Sequence, residues 1–172
     1  HSYVVAVGGG AFLDAVGFAA ALLHRGVRLV RIPSTTLSQD DSGVGTKNGI
    51  NGAGQKNLLG TFMPPWAVIN DSTLLRTLSR GLVLDGVAEA FKVAIIKDAD
   101  FFAFLETHAE ELADPDSEAL HAAVRRSAEL HADHIMTNGD PFEKGTARPL
   151  DFGHWAAHRL EAMSEYRIRH GQ

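Results

Sequence analysis

Glu89 and Lys92 stand three residues apart in "LDGVAEAFKVAIIKD", a stretch whose remaining side chains are almost all apolar. On a helix that spacing puts a carboxylate and an ammonium on one face, and neither is easily buried unless it pairs or binds something. An ion pair at a helix surface satisfies the pattern as well as a ligand site does. His154 and His158, four apart in "DFGHWAAHRLEAMSEYRIRHG", share a helix face in the same way, and His170 follows a turn back. Two imidazoles at this spacing are often incidental. The chain holds no cysteine, however, so thiolate sites and disulfides are excluded and any transition-metal site must use His, Asp and Glu. A carboxylate with two imidazoles is the natural zinc-type set, and it leaves coordination positions open for substrate.

Two further groups could receive a phosphorylated ligand. Gly8-Gly9-Gly10 lies between a strand pattern and a helix pattern, where unhindered N–H groups and the helix dipole can hold a phosphate or pyrophosphate. It is not a full dinucleotide fingerprint, and a tight turn is the plain alternative. The stretch from Ser34 to Gly60 sets Ser34, Thr35, Asp41, Ser42, Lys47, Asn51, Lys56 and Asn57 among glycines. Lysines supply point charges and amides oriented donors for a phosphate; a solvated surface loop is the bland alternative.

The elements that must position these groups are legible in outline. Tyr3-Val4-Val5-Ala6-Val7 reads as a buried strand. A helix follows, with Asp14 in its first turn and Val16, Ala19, Ala20 and Leu23 as its packed face, ending at Gly26. Val27 to Ile32 is a second strand stopped by Pro33, which completes a βαβ unit and predicts a parallel sheet. Residues 34–60 read as a long functional loop. Trp66 to Ile69 is a third strand, with Asn70-Asp71-Ser72 as a helix start. Helical patterns over about 84–97, 99–112, 117–137 and 152–164 follow, with no further strand signal. The expected fold is α/β: a Rossmann-like parallel-sheet N-terminal part, residues 1–80, followed by an all-helical C-terminal part, residues 81–172.

Of 172 residues, 45% are hydrophobic and 22% charged, which is enough apolar side chain for a packed core and argues against disorder. A net charge of −5 offers no basic footprint, so nucleic acid is not an expected partner. The apolar run from Val4 to Leu23 is broken by Gly8, Gly9, Gly10 and Asp14 and has no basic region before it, so neither a membrane span nor a leader is expected, and the reading is cytoplasmic.

Taken in order, "VGGGAFLDAVGFAAALLHRGV", "IPSTTLSQDDSGVGTKNGIN", "GQKNLLGTF", "DGVAEAFKVAIIKDADFF" and "LDFGHWAAHRLEAMSEYRIRHG" resemble 3-dehydroquinate synthase and related sugar phosphate cyclases. The resemblance implies a divalent metal, zinc first and cobalt second, on Glu89, His154 and His170, the two histidines being 170 − 154 = 16 residues apart. It implies NAD on Gly8, Gly9 and Gly10, with Asp14, Ser34 and Thr35 as further cofactor-side positions and Lys56 beside them. Asp41, Lys47, Lys92 and His158 fall on catalytic positions and Asn57 on a substrate-binding one. The chemistry implied is transient oxidation of a substrate hydroxyl, elimination of phosphate, return of the hydride and an aldol ring closure, with NAD regenerated. A sugar phosphate substrate and a homodimer of the full-length protein are implied too. The family has further segments on both sides, so both parts are expected to be truncated.

Departures bear on the substrate. Where the family reads "RxxLNxGH" and uses the arginine for a substrate carboxylate, this chain reads "ARPLDFGH": Ala147 takes the arginine's place, Arg148 is shifted by one and Asp151 replaces the asparagine. Asp133 falls where a substrate lysine is expected. Fewer cations and an added carboxylate disfavour an anionic carboxylate ligand, which points to sedoheptulose 7-phosphate, as in valiolone-type cyclases, unless Arg148 reaches the same place. Arg148 and Asp151 are therefore the candidate specificity residues. An iron-dependent alcohol dehydrogenase and a non-catalytic relative are the competing readings.

Overall fold

The computed structural model describes residues 2–145, 148–165 and 167–171. Strand β1 (Tyr3–Gly8) runs into helix α1 (Gly10–Leu22), a short 3-10 turn at Leu23–Arg25, and strand β2 (Arg28–Pro33). Both strands reach one residue past the expected ends, β2 taking in Pro33 opposite Gly8. A π-helical turn at Ser38–Ser42 leads to β3 (Lys47–Gly52), β4 (Gln55–Phe62) and the short β5 (Ala67–Val68). β1, β2 and β5 form a parallel sheet in that order, in register from Tyr3↔Arg28 to Gly8↔Pro33.

Three expectations need correction. Residues 34–60 are not a loop but the π-helical turn followed by an antiparallel ribbon, β3 on β4, joined through Ala53 and Gly54, both at positive φ. Neither strand shows the polar–apolar alternation that marks a strand in sequence: β3 reads KNGING and β4 reads QKNLLGTF. Gly60 illustrates the reason for the glycine: a Cβ there would meet the Asn48 carbonyl oxygen at 2.8 Å. Asp14 lies in the second turn of α1, since the helix starts at Gly10 and carries no acid in its first turn. The buried face of α1 is Leu13, Gly17 and Ala20, while Ala19 and Leu23 are exposed. Asn48 sets that face: its side chain fills the space over Gly17 that any larger residue would need.

From Ser72 onward the regular elements among the described residues are all helical. A 3-10 turn at Ser72–Thr77 is capped by Asp71, whose Oδ1 accepts from Thr73 N–H at 2.9 Å. Helices α2 (Arg80–Lys97), α3 (Ala99–Thr107), α4 (Glu118–Thr137) and α5 (His154–Met163) follow. Asp98 caps α3 and Ser117 caps α4, each accepting a backbone N–H at 3.0 Å. The helical part closes around Val83, Ala90, Phe101, Leu105 and Leu120; a smaller cluster of Ala6, Leu13, Ala20 and Leu29 holds α1 to the sheet. No helix among the described residues is long and apolar enough to cross a membrane.

Candidate active site

The wall of the site is built by an arginine that the strand pattern conceals. Leu29, Arg31 and Pro33 share the buried face of β2, so Arg31 points inward and is fully buried. Its guanidinium donates to the carbonyls of Ser42, Gly43, Gly45 and Lys47 at 2.7–3.4 Å and to Asn48 Oδ1 at 2.5 Å. A buried charge is tolerable when it is hydrogen-bonded; here both terminal guanidinium nitrogens are engaged, while Nε has no partner among the described residues. Here the result is that a glycine-rich segment becomes rigid, and with it the side chains of Asp41 and Lys47.

Against this wall α2 presents Glu89, and the start of α5 presents His154. Ligand atoms of Asp41, Glu89 and His154 lie within 4.8 Å of one another. Glu89 is buried; Lys92 Nζ forms an ion pair with its Oε1 at 2.6 Å. Burial, then the charge of Asp41, pushes the Glu89 carboxyl up to about 7 despite Lys92. Burial also raises the Asp41 carboxyl, but facing His131, Lys92 and the cluster imidazoles lower it further and win. His154 is pushed down to about 4 by burial, then by Lys92, so its imidazole is neutral at neutral pH and able to ligate. Two carboxylates crowded together in a buried place, beside a neutral imidazole, are short of positive charge, and their N/O donors fit a zinc-type cation.

The rings of His154, His158 and His170 form a triangle, with centroids 5.0–5.5 Å apart. His158, Glu161 and His170 bring ligand atoms within 4.8 Å of one another as a second group. Thus Glu89, His154 and His170, grouped by the sequence resemblance, straddle two adjoining clusters, joined by the His154–His170 stack.

Asp41, His154, His158, Glu161 and His170 of these clusters open on a cleft of about 1070 Å³ between the α/β part and the helices. Gly10, Asp14, Thr35, Asp41, Lys47, Lys56, Asn57, Asp151, His154, His158 and His170 line it. Lys47 is flanked by Glu143 Oε2 at 2.5 Å and Asp151 Oδ1 at 3.6 Å. Burial pushes the Asp14 carboxyl up to about 6, against the opposing pull of Arg31. Gly8 ends β1, Gly9 caps α1, and Ser34 N–H donates to the Gly8 carbonyl at 2.9 Å. The Thr35 hydroxyl is engaged by Ser38 Oγ at 2.8 Å. Asn57 adopts a positive φ, and its N–H donates to Asn51 Oδ1.

Gly8, Gly9, Ser34, Glu89, Lys92 and Arg148 are not among the lining residues. Arg148 is tied down, its guanidinium donating to the carbonyls of Glu143 at 2.6 Å and Gly145 at 3.3 Å. Asp133 is a correction: it is exposed on α4 and outside the cleft, while His131, two residues earlier, is buried and lines it. A shift of two on a helix turns a side chain through about 200°, so an alignment slip of that size moves a residue to the wrong face. Ala147 lies outside the described residues.

Several site residues escaped the sequence reading. Asp40 is fully buried, neither carboxylate oxygen has a hydrogen-bond partner among the described residues, and burial followed by Glu89 and Asp41 pushes it well above the usual carboxylate range. His131 Nδ1 lies 3.4 Å from Asp41 Oδ1. The spacing of three between His158 and Glu161 was a signal available for the second cluster.

The chain is matched by the family models for the 3-dehydroquinate synthase N-terminal region, over residues 1–84, and C-terminal region, over residues 86–172. It is 43% identical over 163 residues to a 3-dehydroquinate synthase of Idiomarina loihiensis, covering 95% of this chain and 45% of that one. It is 46% identical over 171 residues to one of Cereibacter sphaeroides, covering 98% and 45%. The chain therefore spans about half the length of these curated relatives. Among solved structures it is similar to a 2-epi-5-epi-valiolone synthase from Streptomyces hygroscopicus with NAD+ and Zn2+ bound: TM-score 0.93, 35% identity, 99% of this chain and 48% of that one. A 2-deoxy-scyllo-inosose synthase complexed with carbaglucose-6-phosphate, NAD+ and Co2+ superposes with a TM-score of 0.86 at 28% identity, over 98% and 46%. An iron-containing alcohol dehydrogenase from Thermotoga maritima, at 20% identity and a TM-score of 0.72 over 98% of this chain and 51% of that one, shares the fold alone.

Proposed function

The chain belongs to the 3-dehydroquinate synthase family, and on that premise we propose that it forms the core of a sugar phosphate cyclase, a carbon–oxygen lyase that eliminates phosphate from a seven-carbon sugar phosphate and closes a carbocycle. The observation that carries this reading is one cleft in which a buried carboxylate–imidazole cluster opens beside Lys47 and Lys56. Glu89, His154 and His170 would hold one divalent cation, and the Gly8–Gly10 turn at the start of α1 would receive the pyrophosphate of NAD. When bound, these two groups supply reversible hydride transfer and Lewis-acid polarisation of a substrate oxygen.

The chain's own residues bind and orient. Lys47, half-exposed in the cleft, exchanges its contact with Glu143 for a phosphate oxygen, and Asn57 adds a polar contact from the ribbon. Lys92 stays against Glu89 and offers its charge to an oxyanion near the cluster. The pKa of His158 is lowered by burial, then by Lys56 and His170, which keeps its imidazole available as a proton acceptor at neutral pH. Asp41, ionised and facing His131, anchors the opposite side. Such positioning supplies much of the rate when the substrate carries its own leaving group.

For the substrate, the reading is sedoheptulose 7-phosphate in place of a carboxylated heptulosonate phosphate. Glu143 and Asp151 flank Lys47, and the Arg148 guanidinium is held by backbone carbonyls, so the cleft rim carries acids where a substrate carboxylate needs cations. The relation to a valiolone synthase supports the same choice; the identity to 3-dehydroquinate synthases supports the other. The full-length protein, given each sugar phosphate with NAD and zinc, should release phosphate from sedoheptulose 7-phosphate without net NADH. Release only from the carboxylated substrate would reverse the choice. Net NADH without phosphate release would favour an alcohol dehydrogenase, and no turnover of either would remove the cyclase reading.

A further inference from the structure

Helix α5 buries a single residue, and that residue is charged: Glu161 is 8% exposed while Trp155, Leu160 and Met163 face outward at 84%, 51% and 68%. An inward glutamate in place of any of these apolar side chains is costly unless its carboxylate is engaged. It is engaged twice at one oxygen. Lys56 Nζ, from β4, lies 2.5 Å from Oε2, and His170 Nδ1 lies 3.3 Å from the same atom. Both contacts converge on the same carboxylate oxygen, one from the β3–β4 ribbon and one from the segment after α5.

We propose that Glu161 is a positioning residue that accepts the Nδ1–H of His170, fixing that imidazole in the tautomer whose Nε2 is free to ligate, and that ties it through Lys56 to the β3–β4 ribbon. A carboxylate behind a ligating histidine sets the ring's orientation and raises its basicity. Because Oε2 is taken up by the Lys56 ammonium, the proposal places Glu161 behind His170 and not on the cation. The proposal rests on the reading of His170 as a metal ligand, and it adds that the cofactor-side Lys56 and the metal site share one carboxylate.

The test is titration of the metal-free full-length protein with Co2+, followed by visible absorption, in wild type, Glu161→Gln and Glu161→Ala. Both variants should bind Co2+ more weakly, by roughly 10–100-fold, with the band positions and intensities of wild type. Affinity equal to wild type overturns the proposal, as do bands shifted to a different coordination number, which would make Glu161 a ligand. Failure of the wild type to bind Co2+ at all instead overturns the metal reading beneath it. Should the variants not fold, the tautomer is read directly in metal-free wild type: long-range 15N–1H correlation of the His170 ring should show the Nδ1–H form, and the Nε2–H form contradicts the proposal.

Discussion

Between Leu75 and Val124 the helical half buries twelve apolar side chains in one continuous cluster, whereas the α/β half buries four, Ala6, Leu13, Ala20 and Leu29. On the other side of that comparison, the α/β half fully buries Arg31, Thr36, Ser38 and Asp40, with Gln39 and Asn48 nearly so, and leaves Tyr3, Val5 and Val7 of β1 about half exposed. The helices are therefore held mainly by a non-directional force, proportional to area. The segment that carries Asp41 and Lys47 is held by hydrogen bonds with fixed geometry. Directional bonds tolerate less substitution, and they place side chains more closely, which is what a site requires of one wall.

The comparison breaks if the two halves respond alike. Arg31→Met leaves the Gly43 carbonyl and Asn48 Oδ1, both in buried bonds, and three part-buried carbonyls without their donor, at ~1–3 kcal/mol for each buried group; a loss of roughly 4 kcal/mol is expected from the urea midpoint, with the amides of 42–48 losing hydrogen-exchange protection first. Leu105→Ala in the helical cluster should cost about 3 kcal/mol and leave that protection in place. If the order of the two is reversed, the polar wall is not what holds the α/β half.

Asp14 sharpens the comparison through pH. Its carboxyl is raised from 3.8 to about 6, chiefly by burial, so the folded chain holds this proton more tightly than the unfolded chain. The associated stability is complete below about pH 4 and is lost as pH rises through about 6. Asp14→Asn should therefore raise stability at pH 7.5 by roughly 2 kcal/mol and change little at pH 3.5, as read by denaturant melts at both values. Ser117→Ala removes the α4 cap, far from the cleft, and should cost about 1 kcal/mol with no effect on ligand binding.

What could be read in the sequence follows the same division. Helices α2 to α5 announce themselves through apolar patterning, because area burial writes itself into pattern. The β1–α1–β2 unit was legible for the same reason. The β3–β4 ribbon was not, because its pairing rests on glycines at close approach and on inward polar side chains such as Asn48. Arg31 was invisible as a site residue: alternation alone assigns it a face but not the five acceptors that make the face habitable. The histidines were legible from spacing, whereas Asp40 and His131 become meaningful only when separate elements are brought together. The offset between Asp133 and His131 shows the limit of resemblance, since two positions along α4 separate an exposed side chain from a buried one.

The most direct measurement is zinc binding by the metal-stripped full-length protein, by equilibrium dialysis, in wild type, Glu89→Gln and His154→Ala. One ion per chain is expected in wild type, with affinity lowered in each variant by roughly 100-fold or more, beyond the ~10–100-fold loss of an outer partner. No bound zinc in wild type, or binding unmoved by either substitution, contradicts a catalytic cation held where α2 and α5 meet the arginine-braced wall.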